Sequence, residues 1–292
     1  MHSLISSGAD IVFNSLVLGG VFLIVAIGLN IIYGLSRVMN LAHGSLYALG
    51  AYFGFTIISS GMNFFLALLM APIVVGVFGL LFERILIAPM RERPMVYTLI
   101  LTYGLMFFLD GLIKYTWGNE TRFIELPAFL NRTLTFGSVS YPIYRLATLF
   151  GIAGIMGGLS LLLGKTKIGM TMRAASNIPE MVSVLGINMK LVHMGGFVLG
   201  CVLAGLAGVL AGPLFTVYPI MGHEMLISSF VVIVIGGLGS LRGAVLAAFL
   251  IGAVQTLAEF FITEFAMVVV YMMMAVILVF MPRGLLGEGK FE

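Results

Sequence analysis

GMTMRAASNIPEMVSVLGINMKLV, residues 169–192, is the longest run in the second half of the chain that a bilayer would reject, and apolar segments of spanning length flank it on both sides. It carries Arg173, Glu180 and Lys190, and it reads as a surface loop of a membrane protein. Asn177-Ile178-Pro179-Glu180 offers a side-chain acceptor, a proline for the first turn and a glutamate three residues after the acceptor, which are helix-start signals. Met181, Val182, Val184 and Leu185 then supply an apolar face and Gly186 a C-cap, so the spacing predicts a helix of about two turns. A helix that short does not hold by itself in water and requires something to pack against.

Of 292 residues, 61% are hydrophobic and 9% charged, with a mean hydropathy of +1.15. Soluble domains carry about 25% charged residues. The composition predicts an all-α polytopic membrane protein, a single membrane domain over residues 1–292 forming a bundle of about 8–10 transmembrane helices with broken helices among them. Nine apolar segments qualify: Ile11–Tyr33, Leu41–Ile58, Phe64–Phe82, Val96–Ile113, Ile143–Leu163, Leu191–Leu210, Met225–Ile235, Ala244–Ile262 and Phe265–Met281. Met225–Ile235 is short with glycine-rich neighbours, which fits a broken or partial span.

Alternating these spans gathers Arg37, Arg84, Arg91, Arg93, Lys165, Lys167, Arg173, Lys190, Arg242, Arg283 and Lys290 on one side, eleven of the fifteen bases, and marks that side as cytoplasmic. The polar loop over about 165–190 and the C-terminus are then inside. The connection over about 115–142, with Trp117, Pro127 and Pro142, lies on the opposite face. No Lys or Arg precedes the first apolar run, so the sequence predicts that the first span is retained and not cleaved.

Several function classes lack support. The bases are scattered over short connections, without the basic patch of a nucleic-acid binder. Cys201 is the single cysteine, so there is no disulfide framework. His2, His43, His193 and His223 show no ligand spacing with one another, and a metal site is not expected. GLSLLLGKT, residues 158–166, has five residues between its glycines where a phosphate-binding loop has four, and it ends an apolar helix instead of following a strand. GLGSLRG, residues 237–243, has one residue too many for a dinucleotide fingerprint. Nucleophilic or acid–base catalysis finds no residue pattern, and no cofactor is expected.

Transport does find one. Lipid cannot satisfy backbone groups freed by a helix break, so breaks survive where protein or a water-filled cavity surrounds them. NIIYGLSRVMNLAHGSLYALG, residues 30–50, interrupts an apolar run with Gly34, Asn40, His43 and Gly44. GGLGSLRG, residues 236–243, interrupts another and holds Gly236, Gly237 and Gly239. Either these stretches line a pathway or they are tight turns between hairpin spans. Asn40, His43 and Tyr47 are candidate pathway or gate residues, with the alternative that Asn40 and His43 serve the freed backbone. Glu259 is an intramembrane acid and a further pathway candidate. Asp110 and Lys114, four apart, are positioned to pair across one helical turn. Gly196, Gly200, Ala204, Gly208 and Gly212 form a stripe of small residues that lets another helix approach closely.

These residues together resemble a LivH-type permease, a membrane subunit of branched-chain amino-acid ABC importers. The likeness covers nearly the whole chain and rests on GLNIIYGLSRVMNLAHG (28–44), on residues 169–188, on AGLAG (204–208) and on 236–244, where Arg242 replaces the more usual proline. Gln255 likewise stands where an acid is common. The resemblance implies a partnership with a second, LivM-like permease, two cytoplasmic ATP-binding subunits and a periplasmic solute-binding protein. It makes 165–190 the coupling loop, with Arg173, Asn177, Pro179, Glu180, Met181, Val184, Leu185 and Gly186 facing the ATPase, and it leaves ATP to partner chains. The implied cargo is a branched-chain amino acid or a related small polar solute. Two rivals stand outside the family. A proton-coupled carrier or facilitator would use an acid such as Glu259 or Asp110, and a purely structural membrane subunit would need no polarity at Asn40 and His43.

Overall fold

The computed structural model describes residues 2–136 and 139–286. Its helices are α1 (His2–Ser36), α2 (His43–Ser59), α3 (Phe64–Phe82), α4 (Met95–Trp117), α5 (Ile143–Lys165), α6 (Lys167–Asn177), α7 (Pro179–Val184), α8 (Met189–Ala211), α9 (Met221–Gly236), α10 (Leu241–Phe261) and α11 (Ala266–Phe280). All nine expected apolar segments form helices, and α3 has the bounds read from the sequence. Seven helical stretches are long and apolar enough to cross a membrane. With 17 and 16 residues, α2 and α9 fall short.

Lipid supplies no hydrophobic drive between helices, so close backbone packing must hold the bundle together. The small-residue stripe on α8 provides it. A side chain at Gly200 would come within 2.6 Å of the Gly28 carbonyl on α1, and one at Gly208 would collide with the Tyr47 carbonyl on α2. Thus α8 lies directly against both, and α1 becomes the most enclosed helix, with Val21 to Ile27 buried throughout.

The molecule has two ends. At the basic end, Ser176 Oγ donates to the Gly34 carbonyl (2.8 Å), Ser36 meets His193 (3.1 Å), and the Leu285 amide donates to the Ile235 carbonyl (2.7 Å). At the other, Trp117 Nε1 donates to Thr56 Oγ1 (2.7 Å), and Arg122 and Val217 exchange backbone bonds. The 115–142 connection contains an antiparallel pair that the sequence reading did not foresee, β1 (Thr133–Phe136) with β2 (Val139–Pro142) in the register Thr133 to Pro142. Tyr141 and Arg145 beside it both bond Asn14 of α1.

The shortness of α2 and α9 has one cause. The chain leaves α1 through Arg37 in the left-handed conformation (φ +52°) and turns back into the bundle. It restarts at His43, whose Nε2 lies 3.1 Å from the Val25 carbonyl, about two-thirds of the way along α1. α9 likewise begins inside, because Gly222 abuts Gly44: a Cβ on Gly222 would sit 2.5 Å from the Gly44 carbonyl. From this one interior point α2 runs to the Trp117 end and α9 to the basic end.

Candidate functional site

Two places hold residues whose chemistry does not match their surroundings. The first is the junction of α2 and α9. Gly44 and Gly222 are the second residues of their helices, Ser45 and His223 the third. Asp110 of α4 lies between them, buried, accepting from Ser45 Oγ (2.8 Å) and pairing with His223 Nε2 (2.5 Å). The expected Asp110–Lys114 pair does not form, because the carboxylate turns inward to two helix starts. Each start presents about half a positive charge from its unpaired amides, so a buried anion is stabilised there.

One residue beyond His223, Glu224 is exposed, and its Oε2 accepts from the Tyr218 hydroxyl at 2.6 Å. Tyr47, only 1% exposed, lies near Tyr218 and Glu224, and its hydroxyl makes no hydrogen bond among the described residues. The junction thus collects Tyr47, Asp110, Tyr218, His223 and Glu224. Sequence reasoning singled out Tyr47 as a pathway candidate, set Asp110 aside and named neither Tyr218 nor Glu224. The available signal was a Glu, a His and a Tyr packed into seven residues just before a short apolar run.

The other candidates lie apart. Asn40 Oδ1 accepts from the Ala42 amide (3.1 Å), the Met39 carbonyl accepts from Thr102 (3.2 Å), and His43 takes the Val25 carbonyl, so these groups tend the break after α1. Gly236, Gly237 (φ +101°) and Gly239 (φ +87°) make the turn into α10 at the basic end. Asn30 of α1 grips that turn, donating to the Ser240 carbonyl (3.0 Å) and accepting from the Gly239 amide (2.8 Å). Glu259 sits elsewhere, exposed near the end of α10, where it accepts from Gln255 (2.9 Å) and shares a small cleft with Asn14 and Arg145.

The second place is the polar loop. It contains two helices, not one: α6 starts at Thr166, whose hydroxyl accepts from the Gly169 amide (3.1 Å), and Arg173 reaches back to the Gly164 carbonyl (3.3 Å). α7 is six residues long, with Pro179 at its start and Gly186 (φ +78°) past its end. Asn177 does not cap it. Ile178 is the N-cap, and Asn177 Nδ2 donates to the Arg173 carbonyl (3.0 Å), closing α6 instead. Glu180 lies in the first turn and makes no side-chain hydrogen bond to the cap. Of the predicted apolar face only Val182 packs inward; Val184 and Leu185 are 80% and 72% exposed, with Met181 and Ile178 open beside them.

Residues 11–278 match the model of the "Branched-chain amino acid transport system / permease component" family. The chain belongs to this permease family. Within it, the chain is 29% identical to the high-affinity branched-chain amino acid transport system permease protein LivH of Salmonella typhimurium, over 96% of each chain. Its match to LivM of Escherichia coli is 26%, over 91% of this chain and 68% of the relative. Among solved structures, PsaBC from Streptococcus pneumoniae in complex with Fab superposes with a TM-score of 0.52 at 16% identity, covering 91% of this chain and 89% of that one, a likeness of fold alone. Membership of a permease family favours a transport subunit over an enzyme and does not favour the proton-coupled carrier.

Proposed function

We propose that the chain is the membrane-spanning half of an ATP-driven importer and that α7 is the element through which a cytoplasmic ATP-binding subunit moves it. The observation that carries this is the apolar cap on α7. Met181, Val184 and Leu185 stand in the open on a helix too short to be stable alone, at the end where the basic residues gather. Water penalises that exposure and a protein groove removes it, burying each side chain with a gain of about 1.5–3 kcal/mol. Around α7, the exposed Arg173 and Glu180 supply the polar rim of such a contact.

We assign the partners by analogy with the family. A second permease related to LivM completes the pathway, two ATP-binding subunits supply the nucleotide chemistry absent from this sequence, and a periplasmic binding protein delivers the solute. The membrane we assign is a bacterial inner membrane, and the distribution of positive charge supports a C-terminus on its cytoplasmic side. The cargo we assign is a branched-chain amino acid. Closure of the ATP-binding pair displaces α7. Because α6 bonds Gly34 near the end of α1, that displacement reaches the helix on which the bundle is centred.

A double substitution, Glu180→Arg with Leu185→Asp, tests the coupling role. The expected result is a permease that inserts and pairs normally but retains less ATP-binding subunit and loses uptake. Unchanged assembly and uptake would remove α7 from this role.

A further inference from the structure

We propose that Glu224, with the hydroxyls of Tyr47 and Tyr218, binds the ammonium group of the solute as it passes the junction of α2 and α9. The inference rests on the transport reading above and adds to it a named half-site.

Glu224 follows directly on the interior point where Gly222 meets Gly44, among helices that otherwise present apolar surface. A carboxylate exposed at that depth is costly in lipid, so protein or a water-filled passage must cover it. The local charges are unevenly matched. Asp110 lies against two helix starts, whose combined positive end charge of about one unit offsets it. Glu224, in the first turn of α9, shares only that helix's end charge with Asp110: among the described residues neither carboxylate pairs with a Lys or Arg, and Lys114, one turn from Asp110, joins no ion pair. The complement of this surface is a cation.

The geometry narrows the cation to one with several donors. The Tyr218 hydroxyl occupies Glu224 Oε2, leaving Oε1 to accept. Tyr47, 1% exposed, lies near Tyr218 and Glu224, and its hydroxyl makes no hydrogen bond among the described residues, so it is open to a further partner. A primary ammonium carries three N–H donors, and Glu224 Oε1, Tyr218 Oη and the nearby Tyr47 Oη offer three acceptors. Charge-assisted bonds of this kind are the strong ones.

The test uses the complete complex, both permeases, the ATP-binding subunits and the binding protein, in proteoliposomes with radiolabelled leucine as the probe. Glu224→Gln keeps the size of the side chain and its bond from Tyr218 but removes the charge. We expect it to lower ATP-driven uptake by about tenfold or more with subunit composition and leucine affinity of the binding protein unchanged. Glu224→Asp should retain most uptake, and Tyr47→Phe should lose several-fold. Uptake by Glu224→Gln within about twofold of the parent would overturn the inference. So would loss of the second permease from that variant, which would put a partner's base on Glu224, or collapse of parental uptake with gramicidin, which would make the cation a driving ion. Failure of the parent complex to take up leucine with ATP would overturn the transport reading itself, and the inference with it.

Discussion

Helix α7 stands at the basic end, outside the apolar spans, and turns Met181, Val184 and Leu185 outward; the start of α9 stands inside the bundle and leaves Glu224 exposed. The two surfaces are opposite in chemistry, and each is wrong for the solvent it faces. Water disfavours the first and lipid the second. Because folding of this chain alone repairs neither, each marks a place where another molecule belongs. For α7 that molecule is a protein with an apolar groove. For α9 it is a polar passage and what travels through it.

The contrast can be broken most severely at the point that makes the second surface possible. Gly44→Leu drives a side chain into the backbone of α9, since even a Cβ there collides with the Gly222 carbonyl. We expect about 3 kcal/mol or more of destabilisation and loss of the monodisperse protein in detergent, measured by thermal unfolding. Gly154→Leu, where nothing lies within 4 Å, should leave the melting curve unchanged. If both variants melt like the parent, the two short helices do not meet as described.

Charging the first surface comes next. Val184→Asp with Leu185→Asp should leave the unfolding temperature alone, because both side chains are exposed, while weakening capture of the ATP-binding subunits by about tenfold to a hundredfold. A lowered melting temperature with normal capture would reverse the assignment and make the patch part of the fold.

Asn30→Ala removes both bonds to the turn between α9 and α10, at a cost of about 2 kcal/mol shared between a lost donor and a lost acceptor. Hydrogen exchange at Gly239 and its neighbours should accelerate while exchange in α7 stays constant. The smallest effect is expected at Asn177→Ala, which loses one exposed bond to Arg173 and no cap. A change within about 0.5 kcal/mol in stability, with uptake intact, is the expected outcome. A large loss of uptake would restore Asn177 to the start of α7.

Much of this was legible in the chain. Phe64–Phe82 reads as a helix of those bounds because its hydrophobicity is continuous and Asn63 caps it, accepting from the Phe65 amide at 3.0 Å. The α8 stripe announces close packing because small residues every fourth position can mean little else in a span. The role of Asp110 was hidden. Sequence shows its neighbour four residues on, whereas its partners Ser45 and His223 come from distant segments that only the fold brings together. The same holds for Asn177, whose cap-like spacing is shared by two adjoining helices, and for the strand pair near Tyr141, whose residues are too few to show an alternating pattern.

The meeting of Gly44 and Gly222 also bears on how the protein is made. A helix of 16 or 17 residues that starts at mid-depth must have its first amides served by protein, as Asn40 serves Ala42 and His43 and as the Tyr218 and Ile220 carbonyls serve Met221 and His223, because lipid offers no partner. α2 emerges early in synthesis and α9 late, yet each finds its stable position only against the other and against α1 and α8. The contact that completes both short helices joins segments about 180 residues apart, so it cannot form before both have been synthesised.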